Sequence, residues 1–257
     1  MSASGLFRVV IPARYASSRL PGKVLLPLAG KPMLQWVYER ARASAAGEVV
    51  IATDDTRIAD AARGFGATVA MTDASHVSGT DRIAEVAQAR DWATDEIVVN
   101  LQGDEPLMPA ALINQVASVL DASPSAGIAT LAQTIDKLED FLNPNVVKVV
   151  ADESGRALYF SRAPIPWNRD ATPSGLMSQK AWAGARRHIG IYAYRAGTLQ
   201  RLAALPPAGP EIHEKLEQLR ALANGIEIRV AEAAELPGPD VNTAADVERA
   251  ARLLTQP

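Results

Sequence analysis

Short β-branched segments alternate with helical patterns through the first half of this chain. Strand-like runs occupy residues 7–11, 49–52, 68–71 and 97–101, and helical patterns follow them over residues 31–41, 56–64, 81–90 and 109–120. This alternation predicts an α/β fold with a doubly wound, mostly parallel sheet and helices on both faces. Ligands bind such sheets beyond the carboxyl ends of the strands, so the functional site is expected in the loops at those ends.

The second half follows a looser pattern after residue 126. Strands are expected at residues 146–151, 157–160 and 189–194, with a proline-containing excursion at 163–181. A helix at 214–223, a strand at 226–230 and a helix at 244–254 close the chain. Because no linker, low-complexity run or fixed-period repeat interrupts the sequence, residues 1–257 are predicted to form a single domain.

Composition excludes several classes of function. Lysine and arginine number 26 against 29 aspartates and glutamates, so the net charge of −3 argues against a nucleic-acid-binding surface. The chain has no cysteine, which excludes disulfides, thiolate nucleophiles and cysteine zinc sites. No apolar run reaches the roughly 18 residues of a membrane span, and the N-terminus leads into a strand rather than a signal peptide. A cytoplasmic protein without membrane insertion is therefore expected.

The loop after the first strand carries three cations, Arg14, Arg19 and Lys23. Arginine and lysine together suit a triphosphate or a carboxylate, although a solvated basic loop is the alternative. This is not a Walker A loop, because Ser17 and Val24 stand where that motif needs glycine and a hydroxyl residue. No Gly-x-Gly-x-x-Gly follows a strand either. Both P-loop NTPases and nicotinamide dehydrogenases are thus disfavoured.

A second loop, residues 102–106, follows the fourth strand and places Asp104 and Glu105 at the same expected edge of the sheet. Mg²⁺ prefers oxygen ligands and commonly takes one or two carboxylates, leaving its other positions to water and substrate phosphates. The alternative is a polar turn in which Asp104 caps a backbone amide. Cations in one loop and carboxylates in the other favour a site for a metal-bound polyanion.

These loops and several other segments closely resemble the 3-deoxy-manno-octulosonate cytidylyltransferases, also called CMP-Kdo synthetases. The resemblance spans nearly the whole chain and rests on residues 12–14, 19–23, 78–82, 102–106, 143–148, 159–162, 188–192 and 216–220. It implies a nucleotide-diphospho-sugar transferase-like, Rossmann-type fold.

The resemblance implies an enzyme that transfers CMP from CTP to the anomeric hydroxyl of Kdo for lipopolysaccharide assembly, releasing pyrophosphate and using Mg²⁺. Such a reaction needs in-line positioning and charge stabilisation more than a covalent nucleophile. The catalytic residues implied are Arg14, Lys23 and Asp104. The nucleotide would be bound by Ala13, Arg14, Lys23, Ser78, Gly79, Arg82 and Gln102. The sugar acid would be bound by Arg19, Gln102, His188, Tyr192, Glu217 and Gln218.

The chain departs from the family at Asn242. The family commonly has Val-Asp-Thr there, and its aspartate helps to bind the metal. Asp104 and Asn242 are therefore the expected metal ligands, but the amide brings no negative charge. We expect a higher Mg²⁺ requirement than in an Asn242→Asp variant, unless Asp240 supplies the missing charge.

Two other functions stay open at this point. The chain could use another acidic sugar, such as sialic acid or an amino-substituted Kdo, or it could be a noncatalytic nucleotide-binding regulator. The family also implies a homodimer, formed by an excursion within about residues 150–195. Trp167 and Trp182 suit such an interface, although either could equally belong to the core.

Overall fold

The computed structural model describes residues 7–16, 20–76, 78–170 and 182–255. The chain divides into two compact units. The first comprises Met1–Ser118, Ile191–Ala203 and Ala234–Pro257, and the second comprises Val119–Gly190 and Ala204–Ala233. The single-domain interpretation of residues 1–257 stays a prediction.

Strands and helices alternate as the sequence indicates. The strands are β1 Arg8–Pro12, β2 Pro27–Leu28, β3 Lys31–Pro32, β4 Glu48–Thr53, β5 Thr68–Met71, β6 Ile97–Asn100, β7 Ile128–Thr134, β8 Lys148–Ala151, β9 Ala157–Ser161, β10 Arg186–Arg195 and β11 Ile228–Glu232. The helices are α1 Met33–Arg42, α2 Thr56–Gly64, α3 Gly79–Ala89, α4 Ala110–Asp121, α5 Leu138–Leu142, α6 Ala196–Ala203, α7 Gly209–Glu214, α8 Gln218–Ala223 and α9 Ala244–Thr255, with a 3-10 turn at Lys23–Leu25.

The sheet of the first unit is built around β1. This strand pairs in parallel with β4 on one side and β6 on the other, and β5 extends the sheet in parallel beyond β4. The last residues of β10, from Tyr192, pair antiparallel with β6. The chain therefore moves outward from β1 through β4 to β5 and then returns to the opposite side of β1. Such a reversal opens a crevice at the carboxyl ends of β1 and β6, where the two candidate loops begin.

Burial explains the sequence of the central strand. Val9, Val10 and Ile11 of β1 have 0% exposed surface, as do Val98 and Val99 of β6. A strand covered on both faces reads as a continuous apolar run, which is the pattern seen here. In the part of the chain that the structure describes, no helix has both the length and the apolar character to cross a membrane.

The second unit contains a strand that the sequence pattern did not indicate. β7 pairs in parallel with β11, from Ile128 opposite Ile228 to Ala132 opposite Glu232. Its first residues are all buried, and small residues such as Ala129 and Ala132 interrupt the larger apolar ones. A strand buried in this way shows neither alternation nor a β-branched run. In the same unit, β8 pairs antiparallel with β9.

Lys148 is buried at the start of β8. Its exposed surface is 0%, and its ammonium donates to the carbonyls of Asn143, Val146 and Arg162 at 2.9, 2.6 and 2.7 Å. Burial lowers the pKa of Lys148 to about 8, and the Glu214 carboxylate opposes that shift. Three donated hydrogen bonds satisfy an otherwise costly buried cation and fasten the loop before β8 to the residue that follows β9.

The helix predicted over residues 214–223 is wrong as a single element. Within this range only α8, from Gln218 to Ala223, is a helix, and Glu214 ends the separate helix α7, because Lys215 has a φ of +53°, in the left-handed region. A helix cannot continue through that conformation. Lysine gives no sequence signal for such a break.

The excursion suggested for dimerisation is described only outside residues 171–181. Trp167 is 43% exposed. Trp182 packs against a buried cluster that contains Phe141 and Ala185, and its indole N–H donates to the Ile135 carbonyl at 3.1 Å. Trp182 therefore packs in the core, which was the alternative to an interface position, while Trp167 is exposed to solvent. The homodimer itself stays a prediction.

Candidate active site

Pro12, the last residue of β1, is the point where three loops meet. A Cβ added at Gly79 would lie 3.4 Å from Pro12 Cγ, and one added at Gly103 would lie 3.1 Å from the Pro12 carbonyl oxygen. Ala13 is buried beside them, with its N–H donating to the Ala52 carbonyl at 2.9 Å. The small residues permit this close approach. The structure thus brings Ala13 and Gly79 of the predicted nucleotide pocket together.

Ser78 and Gln102 extend the same group. Ser78 is the N-cap of α3: its hydroxyl accepts from the Asp81 N–H at 3.1 Å, and its own N–H donates to the Asp81 carboxylate at 3.2 Å. This capping box fixes the first turn of the helix next to Pro12. The Gln102 amide donates to the Asn100 side-chain oxygen at 3.3 Å. Four of the residues predicted for the nucleotide therefore lie in segments that meet at the end of β1.

The ammonium of Lys23 lies among oxygen atoms from two other loops. It forms an ion pair with the Asp104 carboxylate and donates to the Val241 carbonyl at 3.4 Å and to Asn242 Oδ1 at 3.5 Å. The backbone strengthens this arrangement, because the Val241 N–H donates to the Asp104 carbonyl at 2.9 Å. Lys23, Asp104 and Asn242 are therefore in one place, as their predicted roles require.

Glu105 adds a buried carboxyl group next to this cluster. Among the described residues, its buried Oε2 has no hydrogen-bond partner. Burial raises the pKa of Glu105 to about 8, and the negative charges of Asp104 and Asp240 add to the shift. The negative charges of Asp104 and Asp240 lie near Glu105, so the surroundings favour a cation.

The donors at this position suit magnesium. The Asp104 carboxylate and the Asn242 amide oxygen are hard ligands, and they already surround the Lys23 ammonium, which shows that these oxygens can face a cation. The described residues contain no group of three or more His, Cys, Asp or Glu side chains arranged to hold a metal ion. A metal here would therefore take its remaining ligands from water and substrate.

The rest of the basic loop is organised by Tyr15. The Arg57 guanidinium stacks 3.4 Å from the centre of the Tyr15 ring, and Gly22 has a φ of +68° and lies so close to that ring that a Cβ would clash at 2.9 Å. Arg14 is exposed, and no hydrogen bond or ion pair of its side chain occurs within the described ranges. Arg19 falls in residues 17–19, outside the described residues.

Arg82 is buried, with 4% exposed surface, and its guanidinium is held by neighbouring loops. It donates to the Thr72 hydroxyl and pairs with the Asp54 carboxylate at 3.3 Å. Thr72 and Asp54 each follow a parallel strand, β5 and β4. Sequence reasoning assigned Arg82 to the nucleotide and missed these partners, although polar residues directly after two neighbouring strands were a signal for them.

His188 lies in the second unit and is partly buried. Its Nε2 is 2.9 Å from the Thr130 hydroxyl, and its ring meets Phe160 edge to face with centroids 5.1 Å apart. Burial lowers the pKa of His188 to about 3, and the positive charge of Arg187 adds to the shift. The imidazole is therefore uncharged near neutral pH. It can donate or accept a hydrogen bond, but it cannot neutralise the charge of a carboxylate.

The remaining residues predicted for the sugar lie in different elements. Tyr192 is opposite Asn100 in the pairing of β10 with β6, and it stacks on Tyr194 with ring centroids 5.8 Å apart. Glu217 and Gln218 stand at the start of α8 in the second unit. The assignment of these residues to one sugar site stays a prediction.

Comparison with known proteins points to one family. A family model described as cytidylyltransferase matches residues 8–228. A 3-deoxy-manno-octulosonate cytidylyltransferase of Cellvibrio japonicus is 59% identical over 96% of this chain and 98% of its own length. One of Thioalkalivibrio sulfidiphilus is 56% identical over the same shares.

A solved structure supports the same grouping. It is described as CMP:2-keto-3-deoxy-manno-octonic acid synthetase complexed with CTP, and it superimposes with a TM-score of 0.88 at 43% identity. The alignment covers 98% of this chain and 99% of the other. The fold class predicted from the sequence is confirmed.

Proposed function

This chain belongs to the cytidylyltransferase family, and from that membership we propose that it transfers CMP from CTP to the anomeric hydroxyl of 3-deoxy-D-manno-octulosonate (Kdo). The products are CMP-Kdo and pyrophosphate. The high identity over nearly the full length of relatives with that name supports Kdo as the acceptor. The related structure that contains CTP supports the donor.

The reaction exchanges one bond to phosphorus for another. The sugar hydroxyl oxygen bonds to the α-phosphorus of CTP, the bond from that phosphorus to the pyrophosphate oxygen breaks, and the hydroxyl proton passes to the solvent. Negative charge grows on the leaving pyrophosphate, so the protein must align the reactants and balance charge. Lys23 and Arg14 lie on the loop that follows β1 and can do so.

The observation that carries the proposal is the meeting of Lys23 and Asp104 at the carboxyl ends of β1 and β6. One loop brings a cation suited to phosphate and the other a carboxylate suited to a metal. Asp104 and Asn242 would hold Mg²⁺ together with the triphosphate. When bound, Mg²⁺ supplies positive charge that neutralises phosphate oxygens. Lys23 would then turn from Asp104 toward those oxygens.

We also propose that the product serves lipopolysaccharide assembly and that the enzyme works in the cytoplasm as a homodimer. The family resemblance supports each of these. The absence of cysteine agrees with a reducing compartment. The exposed side chains of Leu158 and Trp167, at 54% and 43%, support a protein–protein contact.

Pyrophosphate release from CTP tests the function. The assay contains Mg²⁺ and either Kdo, an amino-substituted Kdo or sialic acid at equal concentration, with Asp104→Ala as the control protein. We expect release with Kdo that the control lacks. Faster release with another sugar acid would change the assigned acceptor. Silence with all three, combined with CTP binding, would favour a noncatalytic nucleotide-binding protein.

A further inference from the structure

The segment around Asn242 is fastened to the candidate metal site by its backbone. Val241 is fully buried, and its N–H donates to the carbonyl of Asp104 at 2.9 Å. On the other side, the Asp246 carboxylate accepts from the N–H of Asn242 at 3.0 Å and from the N–H of Thr243 at 2.8 Å. The Cα of Asn242 is therefore held in place, and the direction of its side chain depends on the groups that its amide meets.

Those groups carry opposite charges. The Asn242 amide nitrogen donates to the Asp240 carboxylate, while its oxygen accepts from the Lys23 ammonium at 3.5 Å. A flipped amide would direct its N–H groups toward an ammonium and its oxygen toward a carboxylate, and both contacts would be repulsive. Asp240 and Lys23 therefore select the same orientation, with the oxygen on the side of Asp104.

The hydrogen bond from the amide to Asp240 also affects the electrons of the amide. A carboxylate that accepts from the N–H side polarises the group and makes its oxygen a better ligand for a cation. In addition, Asp240 places a negative charge two residues from Asn242, where the side chain itself has none. The Asp240 side chain is exposed, so solvent weakens its long-range field and leaves the hydrogen bond as the main route.

We propose that Asp240 is a positioning residue, which aims the Asn242 amide oxygen at the cation site and strengthens it as a ligand. This inference rests on the proposed function, in which Asp104 and Asn242 hold the divalent metal. A carboxylate at position 242 would attract the metal directly. Asp240 provides part of that attraction by acting on the Asn242 amide. Asp240 acts through Asn242 and not as a ligand.

Direct metal binding tests the inference without relying on turnover. Mn²⁺ is titrated into each protein in the presence of CTP and without sugar, and free Mn²⁺ is followed by its electron paramagnetic resonance signal. We expect Asp240→Asn to raise the Kd for Mn²⁺ about tenfold. Glu248→Gln, which removes an exposed carboxylate from α9, is the matched control and should leave the Kd unchanged.

Two further backgrounds separate a positioning role from a simple charge effect. In Asn242→Ala, the change Asp240→Asn should have almost no further effect, because the amide through which Asp240 acts is gone. In Asn242→Asp the amide is also gone and a carboxylate faces the cation directly, so Asp240→Asn should change the Kd for Mn²⁺ much less than it does in the unmodified protein. The size of the Asp240→Asn effect thus depends on the amide at position 242.

The outcomes distinguish this inference from the metal proposal. An unchanged Kd in Asp240→Asn, or the same loss in the Asn242→Ala background, would overturn the positioning role while leaving the site at Asp104 in place. If the unmodified protein and Asp104→Ala bound Mn²⁺ equally, the metal proposal would fail and the inference with it.

Discussion

Lys23 and Asp104, which are 81 residues apart in the sequence, form an ion pair in which both side chains are mostly buried. The pair joins the loop after β1 to the loop after β6. The two residues have different roles in the proposed reaction: Lys23 would contact phosphate oxygens, and Asp104 would bind a metal ion. In the proposed reaction, a metal-bound triphosphate would replace this pair.

Loss of the carboxylate at position 104 should stop the reaction without unfolding the protein. We expect Asp104→Ala to lower the rate of pyrophosphate release by roughly 100- to 1,000-fold or more. Asp104 is partly exposed and its backbone contacts do not need the carboxylate, so the circular dichroism spectrum should match that of the unmodified protein. A variant that retained the original rate would remove Asp104 from the mechanism.

The close contact at Gly103 predicts a steric effect. Gly103→Ala puts a methyl group 3.1 Å from the Pro12 carbonyl oxygen and 3.4 Å from Val24 Cγ1, so the two loops must separate. We expect the free energy of unfolding in urea to fall by about 1–3 kcal/mol, together with weaker CTP binding. The matched control is Gly64→Ala, where an added Cβ meets nothing within 4 Å in the helix α2. That change should be neutral or stabilise by up to about 1 kcal/mol, and an equal loss in both variants would contradict the explanation.

Arg82 is predicted to stabilise the loops rather than only to contact nucleotide. Arg82→Ala removes the buried member of the pair and leaves the partly exposed Asp54 carboxylate without its partner, so the free energy of unfolding should fall by about 1–3 kcal/mol. Arg63→Ala is the comparison, because its pair with Asp60 is exposed and should contribute less than about 1 kcal/mol. If Arg82→Ala weakened CTP binding while leaving stability unchanged, a direct nucleotide contact would be the better account.

The lowered pKa of His188 predicts that the free energy of unfolding depends on pH. Its pKa is about 3 when folded against 6.5 as the reference value, so the unfolded chain binds more protons between these values. The contribution to stability is present above about pH 6.5 and is lost as the pH falls toward 3. From pH 7 to pH 5, the loss from this group alone should reach about 2 kcal/mol.

The comparison protein for this effect is His188→Gln, which cannot gain a proton at that position. Urea unfolding of both proteins at several pH values gives the difference in their stabilities. That difference should shrink or reverse in sign on acidification, because only the unmodified protein loses the contribution of His188. Parallel pH profiles for the two proteins would show that the imidazole is not kept neutral by burial.

The hydrophobic periodicity of the sequence predicted much of the fold of this protein. It placed β1, β4, β5 and β6 and the helices between them to within a few residues, because buried parallel strands and amphipathic helices leave regular patterns. It did not indicate β7, whose small buried residues resemble no pattern, or the break at Lys215, whose left-handed backbone has no sequence signal. Residue chemistry also identified the two loops that hold Lys23 and Asp104.

Tertiary structure alone decided which side chains meet. The order of strands places the ends of β1 and β6 side by side, so Lys23 contacts Asp104 rather than another acidic residue. The same order gives Arg82 its partner Asp54, and the closing segment brings Asp240 and Asn242 to Lys23. Local sequence encodes the conformation of many segments. Contacts between distant segments depend on how the strands are ordered and packed, which no local pattern contains.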